Sequence, residues 1–182
     1  MLRNTRDDYG WIAMALHWSM ALVIPGMLVL GLWMRSLTYY DSWYQPAPFI
    51  HKSIGVLLFI VLVIRVMWRW GNLQPVADVS LSRMERYLSH WLHLSLYLLL
   101  FSIMLSGYLI STADGKGISV FDWFTVPALI SHLENQEDIA GEIHYWLAVS
   151  TMILVALHAL AALKHHFINK DRTLKKMLGR SH

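Results

Sequence analysis

Four separate runs of mostly apolar residues constrain this chain more than any other feature. A helix needs about 20 such residues to cross the hydrocarbon core of a bilayer. The runs extend from about Trp11 to Met34, Phe49 to Trp70, Tyr87 to Ile110 and Gly141 to Leu163. Each is far longer than a barrel strand and none alternates strictly, which favours helices over a β-barrel. The first run is too long for a cleaved signal peptide and has no small-residue cleavage site before Arg35. Composition agrees with spans. Of 182 residues, 56% are hydrophobic and only 15% charged, and the mean hydropathy is +0.43. A soluble domain of this size lacks the polar residues to cover so much apolar surface. The expected fold is an all-α integral membrane protein, one domain over residues 1–182, built as a bundle of four transmembrane helices.

The absence of cysteine excludes disulfides, thiolate metal sites and cysteine nucleophiles. The connectors are polar and hold turn residues: Asp41 to Pro48, Gly71 to Ser82, and the longest, Ser111 to Glu142. Within the last, Asp114-Gly115-Lys116-Gly117 reads as a turn. Phe121-Asp122-Trp123-Phe124 suits headgroup depth, with a short helix as one option. The pI of about 9.2 does not point to nucleic acid, because the net charge is only +3. What matters is where the basic residues sit. With the N-terminus inside, one side holds Arg3, Arg6, Arg65, Arg69, Arg83, Arg86, Lys164, Lys170, Arg172, Lys175, Lys176 and Arg180. The other side holds Arg35, Lys52 and Lys116. Twelve against three predicts cytoplasmic N- and C-termini and an outward-facing third connector. The basic tail after Phe167 reads as a topology determinant touching anionic lipid.

An ionisable side chain inside a span is costly and therefore informative. His17 begins the first helix on the inner side, and His51 begins the second on the outer side. The fourth helix carries His144 and, fourteen residues later, His158. Fourteen residues are close to four turns, so both share one face, ~21 Å apart along the axis. Depths then match in pairs: His17 with His158 at the inner level, His51 with His144 at the outer level. Imidazoles from two helices facing each other could hold a haem iron from both sides, twice in one bundle. The same interval separates His17 from Gly31, His93 from Gly107, and His51 from Arg65. Glycines at Gly31, Gly107 and Gly55 would let a flat macrocycle approach the backbone, or serve close helix packing. Arg65 for the inner haem and Lys52 for the outer are candidate propionate partners, although Arg65 could also snorkel to the interface.

Zinc would want a compact tetrahedral set, and a proton relay would want buried carboxylates; pairs of histidines four turns apart suit neither. His90 and His93 either line a quinone site or contact the inner haem, or else sit at the interface. His165 or His166 could hydrogen-bond a quinone carbonyl or a propionate. His132 and His182 read as solvated loop and tail residues.

These residues resemble the prokaryotic cytochrome b561 family, and more distantly the cytochrome b subunits of nickel-iron hydrogenases. The matching pieces are Leu16-His17-Trp18, the stretch from His51 to Gly55, the His144/His158 pair, and the closing run from Leu163 to Leu174. The stretch Gly107 to Lys116 resembles one bacterial branch, which often accompanies a periplasmic isoprenoid-binding protein. The resemblance covers about residues 10 to 178. It implies a multi-pass protein of the bacterial cytoplasmic membrane with two haem b groups, His17/His158 inner and His51/His144 outer. It further implies electron transfer between a periplasmic donor and the quinone pool, with ubiquinone as a candidate ligand. The donor would be a small molecule such as superoxide, making the chain a quinone-linked oxidoreductase, or a periplasmic protein, making it a relay. The competing class is a non-haem membrane transporter or structural bundle.

Overall fold

The computed structural model describes residues 1–78 and 80–179. Arg180 and His182 lie outside these. Four long helices dominate: α1 (Trp11–Met34), α2 (Pro46–Trp70), α3 (Arg83–Ser111) and α4 (Gln136–Lys164). A short hairpin, β1 (Ile118–Val120) and β2 (Phe124–Val126), lies between α3 and α4. A π-helical turn, His165–Asn169, and a short α5, Thr173–Met177, follow α4. All four long helices are long and apolar enough to cross a membrane.

The apolar runs locate the helices, and polar capping turns extend them. α2 starts at Pro46 rather than near Phe49, because proline suits the first helical position, where no N–H is needed. α3 starts at Arg83 rather than near Tyr87, because Ser82 and Glu85 form a reciprocal cap. The Glu85 amide donates to Ser82 Oγ at 3.2 Å, and the Ser82 amide donates to Glu85 Oε2 at 3.0 Å. α4 starts at Gln136 rather than near Gly141. Gln136 Oε1 accepts from the Leu133 amide at 3.1 Å, and Glu137 and Asp138 sit favourably in the first turn. α1 runs unbroken through Pro25.

The chain divides into two compact units, and each long helix contributes to both. The termini-bearing unit comprises Met1–Ala21, Val61–Tyr97 and Ile153–His182. In it, Asn4 ties the N-terminal segment down: Nδ2 donates to Leu73 O at 2.8 Å, and Oδ1 accepts from the Gly10 amide at 2.9 Å. Gly10 is required there, since a Cβ would fall 2.3 Å from Leu2 O.

The hairpin-bearing unit comprises Leu22–Ile60 and Leu98–Met152. Phe121-Asp122-Trp123-Phe124 forms no helix. Antiparallel pairing of Ile118 with Val126, Ser119 with Thr125 and Val120 with Phe124 makes Phe121 to Trp123 the hairpin loop. Phe121 and Asp122 take left-handed φ of 47° and 59°. Val120 is fully buried, and Ser53 of α2 accepts from the Phe121 amide at 3.1 Å. Three-residue strands are too short to show alternation in sequence, and this docking is what holds them. The Asp114–Lys116 turn is present: Gly115 sits at φ 80° and the Lys116 amide donates to Asp114 Oδ1 at 3.0 Å. The rest of the connector is held by Thr112, fully buried, whose Oγ1 donates to Ile130 O at 2.9 Å.

Candidate functional site: two paired-histidine cavities

The hairpin-bearing unit encloses a cavity of about 1320 Å³ lined by His51 from α2 and His144 from α4. Their ring centres lie 6.2 Å apart, with the planes at 70°. His144 Nδ1 lies 3.1 Å from Ile103 O, an acceptor, so this nitrogen carries the hydrogen and Nε2 keeps its lone pair. Ser106 Oγ lies 3.0 Å from the same Nδ1 and itself donates to Ile103 O at 2.9 Å. His51 Nδ1 is buried without a partner.

Two of the three glycines stand closely against the histidine rings. A Cβ on Gly31 would meet His51 Cε1 at 3.3 Å, and one on Gly107 would meet His144 Cε1 at 3.2 Å. Gly55 lines the cavity too, and among protein atoms a Cβ there would meet Met27 Cε at an ordinary 3.8 Å. Lys52 lines the cavity as expected. Arg35 does too, its guanidinium 4.6 Å from the Tyr145 ring centre, although in sequence it reads only as a topology charge. Asp114, Glu137, Asp138 and Glu142 bring carboxylates to the same lining.

The termini-bearing unit encloses a second cavity, of about 830 Å³. His17 of α1 and His158 of α4 stand 6.3 Å apart between ring centres, with planes at 76°. His93 of α3 joins them, 5.1 Å from His158, with its Nδ1 2.6 Å from Ser89 O. Arg65 donates through Nε to Tyr97 Oη at 3.1 Å, while its Nη1 is buried without a partner. A buried guanidinium nitrogen in that state suits an anion such as a carboxylate. His165 lines this cavity with Nδ1 held 2.6 Å from Asp171 Oδ2. His90 also lines it, packed edge-on to Trp91. His166 packs on Phe167. In the other unit, His132 Nε2 lies 2.6 Å from where a Gly115 Cβ would stand, so its ring packs against the turn.

Both pairs can be tested against the group they would hold. A metal–imidazole bond of ~2.0 Å and ~1.1 Å from ring nitrogen to ring centre, on both sides of one metal in line, set the centres ~6.2 Å apart. The observed 6.2 and 6.3 Å meet that requirement twice. Among the described residues, no three His, Cys, Asp or Glu side chains converge as a protein-only ion site would need. Cavities of this size, walled largely by apolar side chains and each lined by a cation, Arg65 in one and Lys52 in the other, fit a flat amphiphilic macrocycle held from both faces.

Comparison with known proteins decides the family. The model of the prokaryotic cytochrome b561 family matches residues 8–180. The chain belongs to that family. It is similar to cytochrome b561 homolog 2 of Escherichia coli strain K12, at 56% identity over 178 residues, covering 98% of this chain and 95% of that protein. The probable superoxide oxidase CybB of Yersinia pestis is 27% identical over 178 residues, covering 93% of this chain and 95% of that one. Cytochrome b561 homolog 1 of the same E. coli strain is 26% identical over 130 residues, covering 71% and 73%. As a cytochrome b561, the protein is a bacterial membrane protein of electron transfer, and its family implies b-type haem.

Sequence reasoning passed over Ser106, Arg35 and Asp171. Ser106 and Asp171 act through partners 38 and 6 residues away, and no periodicity announces such pairings. Arg35 could have been found, because it closes α1 at the depth where α2 opens.

Proposed function

We propose that the protein holds two haem b groups, one between His17 and His158 and one between His51 and His144. It carries electrons across the bacterial cytoplasmic membrane between a periplasmic donor and the quinone pool. The observation that carries this reading is the doubled imidazole spacing, 6.3 and 6.2 Å, each in its own cavity. Haem supplies reversible one-electron chemistry, and two imidazoles on the iron leave electron transfer as its work. The protein residues hold and tune. Ser106 and Ile103 orient His144, Arg65 and Lys52 offer charge to propionates, and the glycines make room for the rings. The whole chain is read as one membrane domain, since each long helix serves both units. The cation distribution orients it with the termini-bearing cavity cytoplasmic and the hairpin-bearing cavity periplasmic.

The test is a pyridine haemochrome count with reduced-minus-oxidised spectra. Two b haems per chain are expected in the wild type. His158→Ala should lose the cytoplasmic-side haem and keep most of the other, and His144→Ala should do the converse. Full haem in both variants would refute the ligand assignment, and a colourless protein would return the chain to the transporter or scaffold class.

The name of the Yersinia relative favours superoxide as the donor, and the alternative is a periplasmic redox protein. Of the outer cations, Lys116 is paired with Asp114 at 2.8 Å, whose carboxyl is held below its usual pKa by that contact. Arg35 and Lys52 remain to attract an anion. Haem reduction on mixing with superoxide, slowed by salt, supports the small-molecule donor. Co-purification of a periplasmic protein supports the relay.

A further inference from the structure

The termini-bearing cavity holds a polar device that the histidine pair does not use. At the end of α4 the chain widens into the π-helical turn His165–Asn169, a feature often found at functional sites. Lys170 then takes a left-handed φ of 56°, and its amide donates to His165 O. The Asp171 amide donates to the same carbonyl at 3.1 Å. This reversal brings the Asp171 carboxylate back to 2.6 Å from His165 Nδ1. The Asp171 side chain is 1% exposed and that of His165 12%. The second Asp171 oxygen accepts from the Thr173 amide at 2.9 Å, and the Asn169 side-chain amide lies 3.1 Å from His165 Nδ1.

A carboxylate only accepts, so Nδ1 carries the hydrogen and Nε2 is the ring nitrogen left for a ligand in the cavity that His165 lines. Closing the helix does not require this carboxylate, because Lys170 already caps it. A buried acid spent on orienting one imidazole toward a cavity is the arrangement of a proton-exchanging histidine.

We propose that His165, positioned by Asp171, exchanges protons with a quinone head group bound in this cavity. The proposal rests on the quinone reading above. Reducing a quinone to a hydroquinone takes two electrons and two protons. The electrons arrive singly from the reduced cytochrome. At the quinone oxygen facing His165, the Nε2–H bond of the imidazolium breaks as the O–H bond forms, and the oxygen at the far end of the ring takes its proton from water on the termini side. Ionised Asp171 balances the imidazolium, and water on the termini side reprotonates Nε2 before the next quinone. Quinol oxidation runs the same steps backwards, with Nε2 as the acceptor. The other titratable groups of this cavity are otherwise engaged or distinct. Glu85 is paired with Lys164 at 2.9 Å, and Asp78 accepts from Ser80 at 2.9 Å. Besides the proposed haem ligands His17 and His158, the titratable lining includes His90, His93, Arg65, Arg69, Arg86, Lys176, Tyr9 and Tyr97, so the pH profile is compared between variants and not read alone.

The test uses the purified, haem-loaded full chain and a short-chain ubiquinol, with haem reduction followed by absorbance. His165→Gln and Asp171→Asn should keep both haems and their dithionite-reduced spectra. Each should slow quinol-driven reduction by about 100-fold and flatten its dependence on pH. Wild-type rates and an unchanged profile in both variants would overturn the proposal while leaving quinone as the ligand. A wild type whose haems exchange no electrons with quinol or quinone would overturn the quinone reading itself. If a variant loses haem, the wild type decides: reduction by quinol should be clearly slower in deuterium oxide, and an unchanged rate would overturn the proposal.

Discussion

At the scale of single residues, the histidine cavities depend on what is missing as much as on what is present. Gly107 and Gly31 stand where a Cβ would press on His144 and His51 at 3.2 and 3.3 Å. Gly107→Val should therefore displace His144 and lower haem content toward one per chain, with the haem of the His17/His158 pair kept. Gly55→Ala should change little, because its Cβ has room, and a haemochrome count on both variants checks the contrast. Arg65 makes a second case. Its Nη1 is a buried charge-bearing nitrogen with no hydrogen-bond partner, and its charge would favour the electron-rich state of a haem held by the proposed His17/His158 pair. Arg65→Met should lower the potential of the termini-side haem by on the order of 50 mV, read by redox titration with the hairpin-side haem as internal reference. The histidines themselves were legible because an interval of fourteen residues has one meaning on a helix. Ser106 and Asp171 were not, because a side chain's partner across a cavity or around a turn leaves no trace in spacing.

At the scale of elements, hydropathy found the helices and missed their ends. Lipid selects the apolar middle, whereas the termini are set by polar caps in water: Ser82 with Glu85, Gln136 with Leu133, and Pro46 at a first turn. The signals were present as a Ser-x-x-Glu box and an N-terminal proline, and a scale that averages hydrophobicity cannot register them. The hairpin escaped for another reason, since its strands exist by docking on Ser53. The connector between α2 and α3 offers a pH test. The Asp78 carboxylate accepts from the Ser80 amide and hydroxyl, and from the Arg172 amide at 3.3 Å, so it tethers this connector to the segment after α4. The Ser80 contacts come first among the causes that hold its pKa below the ordinary value. A depressed carboxyl stabilises the fold above its unfolded pKa, and that contribution disappears as pH falls through the lowered folded pKa. Proteolytic nicking of the connector should rise in acid below the usual carboxylate range. Asp78→Asn should show the raised nicking already at neutral pH and lose the pH dependence.

At the scale of the whole molecule, the proposed orientation rests on the twelve-to-three division of basic residues. Reporter fusions after Met177 should be active only with a cytoplasmic reporter, and insertions at Gly115 only with a periplasmic one. The reverse result would exchange the two faces in the proposed electron path and place the His165–Asp171 pair outside. What the sequence determined by itself is the four-span architecture, the family and the pairing of histidines by depth. Each follows from one-dimensional quantities: the length of an apolar run, the position of charge along the chain, and the helical period. Only the tertiary structure decided which side chains hold those histidines, which glycines stand against their rings, that Arg65 carries an unpaired buried nitrogen, and that Asp171 returns to His165. These depend on distances of a few ångströms between residues on different helices or across a reversal. Such distances are set by packing and by the need to satisfy buried polar groups, and no regularity of the sequence encodes them.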